Sequence, residues 1–225
     1  MGRRITLGTV VPFTQAGYQV YFTNRAPGLP PTTTFADLAA SQAEGIREHF
    51  GGGPVDVLGH STGGSLVLQL IADHPDVVRR AVAASAAYRL GPVAKQAQLD
   101  LLHKMERDGR FHAQVLVAGF TQNKLLQRLL AVPMRLAPLL IKASRPSDPI
   151  AVLRAEDGFD VYDRLPSIQT ETLVICGARD YFWTPEMFAE TAERLPHGQL
   201  VMYPKAGHAI VTMKQFFADV MAFLR

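Results

Sequence analysis

Ser61 stands at the centre of Gly59–His60–Ser61–Thr62–Gly63–Gly64, between the apolar runs "VDVL" and "SLVLQLI". The first run reads as a short strand and the second as a helix. A tight strand-to-helix turn forces its tip residue into a strained backbone conformation, in which Cβ atoms two positions away collide. Gly59 and Gly63 are expected to remove those atoms, so that Ser61 projects from the sheet edge above the N-terminus of the helix. There the Thr62 N–H can donate to a developing oxyanion. G-x-S-x-G between strand and helix is the pattern of a nucleophile elbow, and its chemistry is attack by a serine hydroxyl on a carbonyl carbon.

Such a hydroxyl needs a base, and the base needs a group that orients it. The chain has seven histidines. His49 and His74 fall near predicted helix ends, His103 and His112 in a helical stretch, and His197 in "LPHG", where surface or capping roles are the simplest expectation. His60, as the neighbour of Ser61, is expected to point away from it. His208, in "YPKAGHAIV", follows the last predicted strand on the loop at its C-terminal end, the edge where open α/β sheets gather their ligands. Asp180, in "VICGARDYFWTP", lies just past the C-terminal end of another strand and is the acid candidate. Asp157, Asp160 and Asp163 occupy an irregular segment with no strand to aim them, and are expected to be solvated. Phe182 and Trp183 are candidates for lining a pocket, with aromatic packing as the alternative.

The elements that must position these residues alternate between strand and helix, which favours a parallel sheet covered on both faces. "YQVYFT" (18–23), "PVDVLG", "VVRRAVAAS", "TLVICG" and "QLVMYP" read as strands. "FADLAASQAEGIREHF", "GGSLVLQLIADH" and the closing "VTMKQFFADVMAFLR" read as helices. Gly51 to Gly53 precede a strand, so they read as a turn and not as a phosphate loop. From Leu90 to Leu165 three consecutive stretches, "VAKQAQLDLLHKMERDG", "FHAQVLVAGF" and "TQNKLLQRLLAVPMRLAPLLIKA", read as helices inserted over a sheet edge. The last carries Lys124, Arg128, Arg135 and Lys142 among leucines, a composition that also suits a membrane surface. Pro133 and Pro138 are expected to break it, and a helix packing its leucines over a pocket is the preferred reading.

The segments "VDVLGHSTGG", "LVICGARDYFWTP" and "LVMYPKAGH", in the order Ser61, Asp180, His208, resemble the α/β-hydrolase fold superfamily in its serine esterase and lipase-like group. The resemblance implies an α/β fold with a mostly parallel sheet and helices on both faces. Its core would comprise residues 1–89 and 166–225, with a helical cap at about 90–165 that shapes an acyl or alcohol pocket. Ser61 would be the nucleophile, His208 the general base and then acid, and Asp180 the orienting carboxylate, with no cofactor or metal. Members usually carry further strands before "GYQVYFTN", one ending in the loop that gives a second oxyanion N–H. Here "MGRRITLGTVVPFTQAGYQV" most resembles the helix after that loop, so the strands at 18–23 and 55–60 have no partner between them. Three alternatives stay open: a start at an internal Met1, a filling strand in which Ile5, Leu7 and Val11 alternate, or a degenerate relative.

Composition bounds the remaining possibilities. With 225 residues, 48% hydrophobic and 19% charged, the chain suits one globular domain with an inserted subdomain. A net charge of +3, without basic runs longer than a pair, points away from nucleic acid. Cys176 is the single cysteine, so no internal disulfide forms, and a buried strand thiol in a reducing, cytoplasmic setting is expected. No apolar stretch approaches the roughly 18 residues of a spanning helix. "MGRRIT" fits an acylation pattern at Gly2 with Thr6, but the chain is read as unprocessed. The leading function is hydrolysis of a small carboxylic ester, or a related lactone, C–C or perhydrolase reaction. A catalytically silent binding protein is the alternative.

Overall fold

A computed structural model describes residues 10–51, 53–140 and 147–225, with backbone alone at 135–140. Four apolar runs become strands β1 (Val55–His60), β2 (Val78–Ala84), β3 (Glu171–Gly177) and β4 (Gly198–Tyr203) of one sheet in that order. Every pairing is parallel, with His60 beside Ala84, Ala84 beside Ile175 and Gly177 beside Tyr203. Parallel neighbours require crossover connections, and these are helical. In chain order the helices are α1 (Phe35–His49), α2 (Thr62–Asp73), α3 (Pro92–Asp108), α4 (Lys124–Leu140), α5 (Ser147–Asp157), α6 (Pro185–Arg194) and α7 (Lys214–Leu224).

Side chains alternate across a strand, so each strand contributes to two cores. Ala81, Ala83, Val174 and Cys176 belong to one cluster with Leu68 and Ile71 of α2 and Phe188 and Ala192 of α6. Val82, Ala84, Leu173 and Ile175 belong to a second with Phe216, Val220 and Leu224 of α7. Helices therefore cover both faces, as expected. Residues 10–15 are helical and accompany α7, where Phe13 meets Phe217 edge-on at 5.8 Å and the Tyr18 hydroxyl donates to Leu224 O at 2.9 Å. Val11 thus lies in a helix and not in a strand; Ile5 and Leu7, like Gly2 and Thr6, fall outside the described residues.

Three expectations are corrected. Residues 18–23 form no strand, and Tyr21 and Phe22 are exposed. A strand needs a ladder partner for its backbone groups, and among the described residues none pairs with this segment or with the outer edge of β1, where Leu58 is exposed. The stretch "FHAQVLVAGF" gives a short 3-10 helix, Ala113–Gly119, instead of an α-helix. Finally, α4 runs through Pro133 and Pro138. Each proline removes one N–H from the ladder, but residues on either side keep helical dihedrals. Its leucines do not all pack inward either: Leu125, Leu126 and Leu129 are exposed.

Between β2 and β3 the chain leaves the sheet for α3, α4 and α5. An isolated antiparallel bridge between Arg89 and Asp160 pins the base of this segment, with Val161 N–H donating to Tyr88 O at 2.9 Å. In the same segment α3 packs against α5 and against Ala113–Gly119.

Candidate active site

Ser61 sits at the junction of β1 and α2 with φ 57° and ψ −126°. That region costs a non-glycine residue about 1–3 kcal/mol, so the surroundings must hold it. Ser61 N–H donates to Ala84 O at 2.9 Å, while Ser61 O accepts from the N–H groups of Gly64 at 2.7 Å and Ser65 at 3.0 Å. The Thr62 N–H, in the first turn of α2, has no intrahelical acceptor, which leaves it available to an anion.

The glycines divide this work differently from the sequence expectation. A Cβ on Gly59 would lie 1.9 Å from the Gly63 carbonyl oxygen, so a side chain there is excluded. A Cβ on Gly63 would meet nothing within 4 Å; what Gly63 contributes is a close-lying backbone. At Gly64 a Cβ would stand 2.7 Å from Ala86 Cβ and 3.0 Å from Ala84 O, so this glycine lets α2 approach β2. Gly59→Ala should therefore cost about 3 kcal/mol and lower the melting temperature by about 6–12 °C. Gly63→Ala, in a helical first turn with free space, should leave it within about 3 °C of the wild type. Thermal unfolding followed by circular dichroism checks both.

Asp180 and His208 lie on the loops that follow β3 and β4. These loops are joined by backbone hydrogen bonds from Ala178 N to Tyr203 O at 2.9 Å and from Arg179 N to Ala206 O at 2.8 Å. His208 Nδ1 meets Asp180 Oδ2 at 2.8 Å, and both side chains are almost wholly buried. The other carboxylate oxygen, Oδ1, accepts from Phe182 N–H at 2.9 Å. With Nδ1–H donated to the carboxylate, the lone pair of His208 is on Nε2, the nitrogen a base needs. Asp180, His208 and Ser61 thus share the C-terminal edge of the sheet, although no hydrogen bond joins Ser61 Oγ to His208 among the described residues. In proteins without substrate this contact is often long and tightens on binding.

The sequence reading missed what surrounds His208. His60 does not turn away from the site: its ring lies 4.9 Å from that of His208, and its Nε2 donates to His208 O at 2.9 Å. A carbonyl only accepts, so Nε2 carries the proton, and burial holds this imidazole below the usual histidine range. Ser85, just past β2 with φ 48°, donates its hydroxyl to the same carbonyl at 3.0 Å. The one signal for Ser85 was its place at the end of a strand beside that of Ser61. Phe182 and Trp183 pack on His208 itself, at 4.6 Å edge-on and 5.8 Å stacked, with Trp183 Nε1 donating to Arg89 O at 2.7 Å. Both are buried, so packing is their observed role, and Phe120 of the inserted segment adds a third ring at 5.8 Å.

The remaining candidates lie elsewhere. Asp157 ends α5 and pairs with Lys95 at 3.4 Å, while Asp160 pairs with Arg89 at 3.4 Å. His49 bonds its own helix at Gly45 O and His112 meets Asp108. A cleft of about 230 Å³ lined by Arg25, Leu29, Thr33, Asp37, Leu38 and Ser41 contains no member of the site. Cys176 is buried in β3, where desolvation pushes its thiol up to about 12, so it is no thiolate nucleophile at neutral pH. Among the described residues no three His, Cys, Asp or Glu side chains converge as metal ligands, and no helix is long and apolar enough to cross a membrane.

A parallel sheet with a strained serine at a strand-to-helix turn, and an acid–histidine pair on neighbouring strand-end loops, defines an α/β protein of hydrolase type. Residues 5–220 match the alpha/beta hydrolase family, and the chain belongs to that family. It is 30% identical over 178 residues, covering 77% of this chain and 68% of the relative, to a pimeloyl-[acyl-carrier protein] methyl ester esterase of Neisseria meningitidis serogroup B. It is 26% identical over 219 residues, covering 92% and 76%, to RutD of Yersinia enterocolitica, described as a candidate carbamate hydrolase. Among solved structures, Rv0554 of Mycobacterium tuberculosis superposes with a TM-score of 0.77 at 22% identity, covering 96% of this chain and 82% of that one, a likeness of fold.

Proposed function

We propose that this protein is a serine hydrolase that cleaves a small carboxylic ester through an acyl-enzyme. The observation that carries the reading is the buried Asp180–His208 pair at 2.8 Å beside the strained turn of Ser61. As Ser61 Oγ bonds to the ester carbonyl carbon, His208 Nε2 takes its proton. The carbonyl oxygen becomes an oxyanion at the N-terminus of α2, with the Thr62 N–H as one donor. Collapse expels the alcohol, which receives the proton from His208. Water then gives a proton to His208 and attacks the acyl carbon; as the acyl–Oγ bond breaks, His208 returns that proton to Ser61 Oγ and the acid leaves. Asp180 keeps the imidazole in the required tautomer and stabilises its charged form. Helices of the 90–165 segment act as a cap over a small apolar substrate, and no cofactor or nucleic acid takes part. Relatives named for methyl ester and carbamate hydrolysis support carbonyl chemistry of this kind.

A silent binding protein is the competing reading, favoured by the unmade Ser61–His208 hydrogen bond. Covalent labelling by a fluorophosphonate probe separates the two. The wild type is expected to gain the probe's mass at Ser61 and to hydrolyse short p-nitrophenyl esters, and Ser61→Ala to do neither. A wild type that stays unlabelled sinks the enzyme reading.

A further inference from the structure

Glu156 belongs to α5, outside the sheet, yet it is 0% exposed. Burying a carboxyl group is costly unless its oxygens find partners, so its contacts show what it is held against. Oε2 accepts two hydrogen bonds, from Thr62 Oγ1 at 2.9 Å and from Gln98 Nε2 of α3 at 2.8 Å. The first of these partners directly follows Ser61 and opens α2.

The turn that Thr62 opens lacks its usual support. Helix N-termini are commonly stabilised by a hydrogen bond to the side chain of the N-cap residue. Here the N-cap is Ser61, and its hydroxyl makes no capping hydrogen bond. A nucleophile cannot also serve as the cap. The tether comes instead from a different part of the fold: Glu156, itself steadied by Gln98, grips the Thr62 hydroxyl. Because Thr62 is β-branched, fixing its hydroxyl fixes χ1 and restrains the backbone to which the amide belongs.

We propose that Glu156 is a positioning residue which, from the inserted helices, anchors Thr62 and holds its N–H in the geometry that receives the oxyanion. The proposal rests on the serine-hydrolase reading above. An ionised carboxylate so close would oppose the oxyanion, whereas burial pushes the Glu156 carboxyl up, despite the hydrogen bonds from Gln98 and Thr62 and the charge of Arg25. In either protonation state Oε2 is the acceptor for Thr62 and Gln98. Glutamine keeps a carbonyl oxygen to accept from Thr62 and Gln98, without a charge.

The role differs from a purely structural one in what it moves. An oxyanion donor acts in the transition state, so its misplacement lowers kcat and leaves KM nearly unchanged. Thr62→Val, which keeps the shape and removes the donor, and Glu156→Ala should each lower kcat for p-nitrophenyl acetate about tenfold, with KM within about twofold. The double variant should lose no more than the worse single one, and Glu156→Gln should return kcat to within about threefold of the wild type. Circular dichroism confirms that each variant is folded, and Thr62→Val carries the test even if Glu156→Ala is not. Wild-type kcat in folded Thr62→Val, or additive losses in the double variant, overturns the positioning role while Ser61 still labels. A wild type that fails to label overturns the serine-hydrolase reading, and the positioning role with it.

Discussion

Ser61→Ala should lower turnover of a short p-nitrophenyl ester by about 10⁴-fold or more while leaving the protein folded. In the proposed mechanism Oγ is the bond-forming atom, so without it no acyl-enzyme forms. What survives is the modest effect of holding the ester near the α2 N-terminus. Stability should rise slightly if it changes at all, because alanine vacates no buried hydrogen bond: Ser61 is held through its backbone N–H and C=O. The measurement is steady-state kinetics with thermal unfolding on the same sample. A folded Ser61→Ala that retains a tenth of wild-type kcat would remove Ser61 from the chemistry.

Asp180→Asn should have the second largest effect, a fall in kcat of about 10⁴-fold with the fold retained. The Asp180 carboxylate accepts from His208 Nδ1 at 2.8 Å and from Phe182 N at 2.9 Å, one oxygen for each. Asparagine can keep its carbonyl oxygen on Phe182 N–H, which preserves the loop. Its amide NH₂ then faces His208 and forces Nδ1 to become the acceptor, moving the imidazole proton to Nε2. A protonated Nε2 cannot take the Ser61 proton. Nitrogen-15 NMR of the imidazole should show the change of tautomer, and the kinetics the loss of rate. A loss below about tenfold with the tautomer reversed would separate Asp180 from catalysis.

Both predictions start from residues visible in the sequence, and the reasons are local. Gly59 and the Gly63 carbonyl it must clear lie four residues apart across one strand-to-helix turn, so their steric relation follows from short-range geometry. Asp180 and His208 were found because each follows an apolar run by a few residues, and parallel strands deliver such positions to one edge. Gly63 shows the limit of that reasoning. Symmetry of the motif suggests that both glycines avoid collisions, but only Gly59 has an obstacle, and the second crowded glycine is Gly64, whose neighbours Ala84 and Ala86 lie at the end of β2 and just past it.

Longer-range relations were not legible in the same way. "YQVYFT" has the residues of a strand, but strandedness is a property of a pair, and no described segment pairs with it. His60 looked like a bystander because neighbours on a strand point to opposite faces. The positive φ of Ser61 ends that alternation, and the loop of His208 comes to meet the His60 ring. Glu156 had no sequence signal, since nothing at its position in α5 announces that Thr62, 94 residues earlier, will be its partner.

The sequence by itself determined the elbow, the order Ser61, Asp180, His208, and the alternation of strands and helices, because steric exclusion and apolar periodicity act within a few residues. Tertiary structure alone decided that residues 18–23 form no strand, what surrounds His208, and which carboxyl group grips Thr62. Those outcomes depend on pairing and burial between distant segments, where a hydrogen bond exists only once both partners have been brought out of water together.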